Sequence, residues 1–230
     1  MKPTKLLVIL PFLWLLVACS PSFTKYQEAA KAWEKEIQAL EQKDQTEKDP
    51  ENAILFIGSS SIRLWKNIKQ DMSPYPVIQR GYGGAKFTDL IFYTKRLVYP
   101  HDFRALAVFV ANDITGSNDD RTPAEVVQLF DNVVKTVRKK YTTKPIFLIA
   151  ITPNSLRWKV WDKATEANNL LKTYCEKHKN LYFIETQSGY LGADGKPNDS
   201  LFIQDHLHLN QSGYDIWANL IKKRLDEVLK

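Results

Sequence analysis

An apolar run, Ile54-Leu55-Phe56-Ile57, stops at Gly58 and gives way to Ser59, Ser60 and Ser61 before an amphipathic stretch begins. A buried parallel strand that delivers a serine to the head of a helix has this pattern. It sets the hydroxyl at the carboxyl end of the strand, where open α/β sheets bind their ligands. Ser60 is the candidate nucleophile of this turn, because a catalytic serine needs an exposed hydroxyl with N–H donors near the charge it creates. Serine is equally the ordinary helix N-cap, so the turn alone does not separate the two roles. A second run with chemical potential, Asp205-His206-Leu207-His208, directly precedes the last helical pattern. Its three-residue spacing can bring the Asp205 carboxylate to the His208 ring, fixing the tautomer and stabilising the imidazolium. Two histidines and an aspartate this close could also start a metal site, but no third protein ligand is evident, and the chain has neither a CxxC nor an HExxH.

Two further loops carry polar or flexible residues where a reaction could use them. Gly81-Tyr82-Gly83-Gly84 allows left-handed backbone and lets a reacting group come close to a main-chain N–H; it is equally a flexible turn. Asn112 and Asp113 follow an apolar run, and an asparagine amide placed there can donate to a developing oxyanion, although asparagine is also a common turn residue. A serine turn, a glycine loop, an asparagine loop and an Asp-x-x-His loop, each following a strand, make up a full acyl-transfer site.

These loops need a scaffold that gathers them. Apolar runs at Ala53–Ile57, Pro76–Ile78, Leu106–Val110, Pro145–Ile151 and Leu181–Ile184 alternate with helical patterns. The helices are expected from about Ser61, then over Thr88–Val98, Pro123–Lys140, Lys163–His178 and Gln211–Leu229. Uniformly apolar strands alternating with helices predict an α/β three-layer sandwich: a five-stranded, mostly parallel sheet with helices on both faces. In such a sheet the strand-to-helix loops all open on one edge, so residues far apart in sequence converge there.

The ends suggest where the domain works. Lys2 and Lys5 precede an apolar run from Leu6 to Ala18, short for a membrane span, which closes on Leu16-Val17-Ala18-Cys19. This segment resembles a bacterial lipoprotein signal, which implies a signal peptide over residues 1–18, lipidation of Cys19 and a lipid-anchored domain in the bacterial cell envelope, on the periplasmic or outer-membrane side. Residues 19–50 are expected to act as anchor and spacer, with Tyr26, Ala30, Trp33, Ile37 and Leu40 forming the apolar face of an amphipathic helix. Residues 51–230 would then form one domain. Of the two cysteines, a lipidated Cys19 leaves only Cys175, so no internal disulfide is expected. The net charge of +6 is interleaved with acids along helix faces, which argues against a nucleic-acid footprint.

With these blocks in order, the chain from about Glu51 to Val228 resembles the SGNH hydrolases, also called GDSL-type esterases, of flavodoxin-like fold. The resemblance is carried by Gly58-Ser59-Ser60-Ser61-Ile62-Arg63-Leu64-Trp65, by Thr152-Pro153-Asn154-Ser155-Leu156-Arg157-Trp158, and by Asp205-His206-Leu207-His208-Leu209-Asn210 leading into Gly213-Tyr214. It implies Ser60 as nucleophile, His208 as base and Asp205 as its orienting partner. It implies an oxyanion hole made of the Ser60 and Gly84 N–H groups and the Asn112 side chain, with no metal and no cofactor. Three positions depart from the family pattern: Gln79 stands where asparagine is usual, Val110 replaces the glycine of the Gly-x-Asn-Asp block, and His206 replaces a glycine. The first two put more side chain near the oxyanion hole, and His206 is a competing base at the wrong spacing.

The resemblance leaves the substrate open. No long apolar lid segment is visible, and Arg157, Trp158, Trp161 and Tyr190 are expected on an aromatic and polar rim suited to sugars, or else in ordinary packing. The expectation is a serine esterase acting on small acyl esters, acetyl above all, on an acetylated glycan. A lysophospholipase or lipase-type hydrolase, a surface-anchored carbohydrate-binding module with weakened turnover, and an acyltransferase are the alternatives. Oligomeric state is not encoded in these residues.

Overall fold

The computed structural model describes residues 23–229; the expected signal peptide over residues 1–18 and Cys19 lie outside them. Strands β1 (Ile54–Gly58), β2 (Val77–Gly81), β3 (Ala105–Phe109), β4 (Ile146–Ile149) and β5 (Leu181–Ile184) form one sheet in the order β2-β1-β3-β4-β5. Every strand pair is parallel. Since β2 and β3 flank β1 on opposite sides, the chain reverses its winding between β1 and β3, and the carboxyl edge there is the crevice where such sheets bind ligands.

The strands are apolar on both faces because both faces are covered. Alternate residues of β1 enter different cores: Leu55 and Ile57 pack on one side, Ile54 and Phe56 on the other. The first face is covered by α1 (Glu34–Thr46), α3 (Phe87–Val98), α4 (Pro123–Arg138) and α5 (Trp161–Glu176), through residues such as Ile37, Leu90, Phe130 and Leu171. The opposite face is covered by the single turn α2 (Ser60–Arg63) and by α6 (Gln211–Leu229), through Ile62, Trp217, Ile221 and Leu225. Short helical turns from Thr24 lead into α1, and the apolar face expected there packs inward, with Ala30 and Ile37 buried and Tyr26, Trp33 and Leu40 half-buried against the core. Arg96 of α3 forks onto Glu34 and Glu41 of α1 and fastens this helix to the sheet layer. Among the described residues no helix is long and apolar enough to cross a membrane. Cys175 is free and buried in α5, and burial pushes its thiol up to about 12.

Two elements differ from expectation. The helix expected to run on from Ser61 stops after one turn, because Trp65 dives into the core against Phe56, Tyr214 and Trp217 and its indole donates to Asp71 at 2.6 Å. Strand β2 runs on past Ile78 through two polar residues, both paired with groups distant in the chain. The amide of Gln79 donates to the Ile62 and Trp65 carbonyls, and the buried Arg80 pairs with Asp44 and Glu47 in and just beyond α1.

Candidate active site

The serine turn depends on a glycine. Gly58 has φ +131°, and a Cβ there would lie 1.9 Å from the Phe109 carbonyl oxygen, so only glycine lets β1 run this close to β3. That same carbonyl accepts the Ser59 N–H at 2.9 Å, and the chain then enters α2 with Ser60 as its first residue. As the first helical residue, Ser60 has an N–H with no partner inside the helix. The Ser60 hydroxyl lies 2.9 Å from His208 Nε2. Ser59 is buried and Ser61 offers its carbonyl to the Tyr214 hydroxyl, so of the three serines Ser60 alone meets the imidazole.

The last loop is built around Asp205. One carboxylate oxygen lies 2.5 Å from His208 Nδ1, and the other accepts the Leu207 and His208 N–H groups at 3.0 and 2.9 Å. Burial raises the Asp205 carboxyl, but the hydrogen bonds from the His208 ring and from both amides outweigh it and hold the group below the usual carboxylate range. An ionised carboxylate can only accept, so Nδ1 carries the proton and Nε2 presents its lone pair to the Ser60 hydroxyl. His206, with φ +53°, turns away to Asp199 at 3.2 Å and does not approach Ser60.

Asn112, past the end of β3, is held at both ends of its amide. It donates one N–H to the Ala85 carbonyl at 2.9 Å, while its own oxygen accepts from Arg157 Nη2 at 2.6 Å. Its second N–H is left for the cleft that Asn112 lines beside Ser60 and His208. Arg157 also donates to the Ala111 carbonyl at 3.0 Å and is set by its own N–H, which donates to Asn154 at 3.1 Å. The departure at Gln79 faces α2 rather than the cleft, and Val110 is buried in the core. The cavity beside Ser60 is small, about 20 Å³, and is lined by Phe109, Thr152, Phe202, Leu209 and Trp217 among others.

Ser60, Asn112, Asp205 and His208 therefore gather at the β1–β3 crevice. Gly84 does not line this cavity; it is joined to it through its neighbour Ala85, on which Asn112 is fastened. Gly84 instead borders a second cavity of about 470 Å³, lined by Tyr26, Trp33, Lys86, Asp119 and Arg121 among others. Beneath the glycine loop lie two buried acids. Asp113 accepts the Phe87 N–H at 2.7 Å, and burial pushes its carboxyl up to about 7. Asp89, bonded to the Tyr82 hydroxyl and the Lys86 N–H, is pushed by burial up to about 6. Among the described residues no group of three or more His, Cys, Asp or Glu could hold a metal ion.

The expected rim needs correction. Tyr190 is fully buried, packed on Phe202 and donating to the Gly213 carbonyl at 2.5 Å, because its ring fills the second core instead of facing solvent. Arg157 is drawn inward to Asn112, which residue type alone could not show. Trp158 and Trp161 stack on each other at 5.9 Å.

No family model matches the chain. The curated relative platelet-activating factor acetylhydrolase IB subunit alpha2 of Homo sapiens is 25% identical over 180 residues, covering 73% of this chain and 73% of its own. A GDSL-like lipase from Bacteroides thetaiotaomicron superposes with a TM-score of 0.66 at 16% identity, over 90% of this chain and 99% of its own. A catalytic mutant of an acetylxylan esterase from Geobacillus stearothermophilus superposes with a TM-score of 0.64 at 15% identity, over 77% and 95%.

Proposed function

We propose that the chain is a carboxylic ester hydrolase of the SGNH, or GDSL-type, family that removes small acyl groups, acetyl above all, from carbohydrate with Ser60 as nucleophile. The Ser60–His208–Asp205 chain of contacts, at 2.9 and 2.5 Å, carries this reading. Ser60 Oγ attacks the ester carbonyl carbon while its proton passes to His208 Nε2, and Asp205 stabilises the imidazolium that forms. The oxyanion is held by the Ser60 and Gly84 N–H groups and the free N–H of Asn112. The tetrahedral intermediate then breaks its bond to the alcohol oxygen, which takes the proton from His208. Water adds to the acyl-Ser60 ester with His208 again as base, and the acid leaves as Ser60 regains its proton.

Acyl size and alcohol class rest on different observations. A space of about 20 Å³ beside Ser60 holds little more than one water, which suits a methyl group and excludes a fatty chain without rearrangement. The larger cavity beyond Gly84 offers aromatic faces (Tyr26, Trp33) together with Lys86, Asp119 and Arg121, a mixed lining suited to a sugar. The acetylxylan esterase among the structural relatives fits this reading. The curated relatives, platelet-activating factor acetylhydrolase subunits, favour a second one, an acetyl group on platelet-activating factor or a similar lipid alcohol. Acetate release from acetylated xylan and other acetylated glycans, run beside a p-nitrophenyl ester series from acetate to palmitate, tests both. Glycan deacetylation with loss of rate beyond short chains supports the proposal, and a preference for long chains or for acetylated lipid alone overturns it.

Lipidation of Cys19 and anchoring in the cell envelope are part of the same proposal, supported by the Leu16-Val17-Ala18-Cys19 pattern. Metabolic labelling with a palmitate analogue should mark the membrane fraction, and Cys19→Ala should abolish the label. Unchanged labelling of that variant would overturn the assignment.

A further inference from the structure

We infer that the N-terminal helix α1 completes the active site, with Glu36 as a positioning residue that sets the glycine loop presenting the Gly84 N–H. The inference rests on the acyl-transfer reading of Ser60 and Gly84. The Gly83 N–H donates to Glu36 Oε2 at 2.8 Å. Trp33, just before α1, closes over the same loop: a Cβ on Gly83 would lie 2.3 Å from its ring, and one on Gly84 would lie 3.7 Å from it. The Trp33 ring also meets Tyr82 edge-on at 5.7 Å, and the Tyr82 hydroxyl beneath it donates to the buried Asp89. Residues 82–84 are thus gripped by a segment that lies outside the alternating strands and helices.

The neighbouring acids of α1 behave differently. Glu34 and Glu41 both pair with Arg96, as expected of acids on a helix face. Glu36 pairs with no lysine or arginine among the described residues; its carboxylate accepts from the Gly83 amide. Two adjacent glycines have more backbone freedom than any other pair, so the loop cannot hold its own peptide planes. Fixing the Gly83 N–H fixes the plane before it and limits where the next plane, which carries the Gly84 N–H, can point. An oxyanion donor acts only when it is aimed at the developing charge, and a displacement of about 1 Å can cost on the order of 10²-fold in rate.

The test is p-nitrophenyl acetate hydrolysis by the full chain and by its Glu36→Ala, Glu36→Asp, Glu36→Gln and Ser60→Ala variants, with thermal melting of each. Glu36→Ala should lower kcat about 10-fold with KM changed less than about twofold, since the amide acts on the transition state rather than on ground-state binding. Glu36→Asp keeps the charge but falls short of the amide, so it should lose kcat to a similar degree. Glu36→Gln keeps an acceptor oxygen at the right reach and should recover to within about threefold of the parent. If Glu36→Ala fails to fold, the Asp and Gln pair carries the test. Parental kcat in Glu36→Asp, or a loss that Glu36→Gln does not recover, overturns the inference. Absence of Ser60-dependent turnover in the parent overturns the acyl-transfer reading itself, and the inference with it, whatever the Glu36 variants do.

Discussion

Arg157 is the residue whose role changes most once the chain is folded, and it supplies a sharp test of how Asn112 works. Its guanidinium donates to the Asn112 oxygen at 2.6 Å and to the Ala111 carbonyl at 3.0 Å, so it fixes the amide plane from which the remaining N–H is aimed. Losing an oxyanion donor outright costs about 10²–10³ in rate, or about 2.7–4 kcal/mol, which is the expectation for Asn112→Ala. Removing Arg157 leaves the donor in place but breaks the one charge-assisted hydrogen bond that the guanidinium makes to the Asn112 amide, worth about 1.5–3 kcal/mol when fully expressed. The Ala85 contact still restrains the amide, so Arg157→Ala should cost about 10-fold in kcat, near 1.4 kcal/mol. Arg157→Lys should fall between, because an ammonium cannot fork to both oxygens. The decisive assay is the double-mutant cycle on p-nitrophenyl acetate. If Arg157 acts through Asn112, adding Arg157→Ala to Asn112→Ala should cost no more than about twofold, giving a coupling of about 1–1.4 kcal/mol. A double variant about 10-fold slower than Asn112→Ala would refute the argument, as would an Arg157→Ala single with parental kcat.

Two further predictions concern the scaffold. Gly58→Ala combines a positive φ with a Cβ 1.9 Å from the Phe109 carbonyl oxygen; strain and overpacking of about 2–6 kcal/mol together should lower the melting temperature by roughly 5–20 °C, and a melt within about 2 °C of the parent would contradict it. Burial raises Asp113 from 3.8 to about 7, so between those values the folded state holds a proton that the unfolded chain has lost. This group's contribution is therefore favourable at low pH and declines as pH rises through 7, by about 4 kcal/mol at most. Asp113→Asn keeps an acceptor for the Phe87 N–H, and denaturant unfolding should show it gaining on the parent between pH 5 and pH 8. A difference that does not vary with pH would show that the carboxyl ionises freely.

Sequence and structure agree where local pattern and tertiary environment point the same way. Strand β5 and helix α6 coincide with expectation, because a short apolar run between turns and a long amphipathic period each have one reading. The Asp205–His208 contact was readable because it is local: three residues in a turn bring carboxylate and ring together. What escaped depends on partners distant in the chain. Gln79 and Arg80 interrupt the apolar run of β2, and only acceptors on α1 and around α2 make them strand residues. Tyr190 has the composition of a rim residue and the environment of a core residue. Arg157 and Glu36 are ordinary surface types in the sequence; their hydrogen bonds to Asn112 and Gly83 span 45 and 47 positions, so no local period announces them.

The central claim is that Ser60, and neither Ser59 nor Ser61, attacks the ester. Turnover of p-nitrophenyl acetate by the three single alanine variants tests it directly. Ser60→Ala should lose about 10⁴-fold or more in kcat/KM, with a melting temperature near that of the parent, while Ser59→Ala and Ser61→Ala retain turnover. Persistent hydrolysis by Ser60→Ala, with loss in either neighbouring variant, would contradict the account.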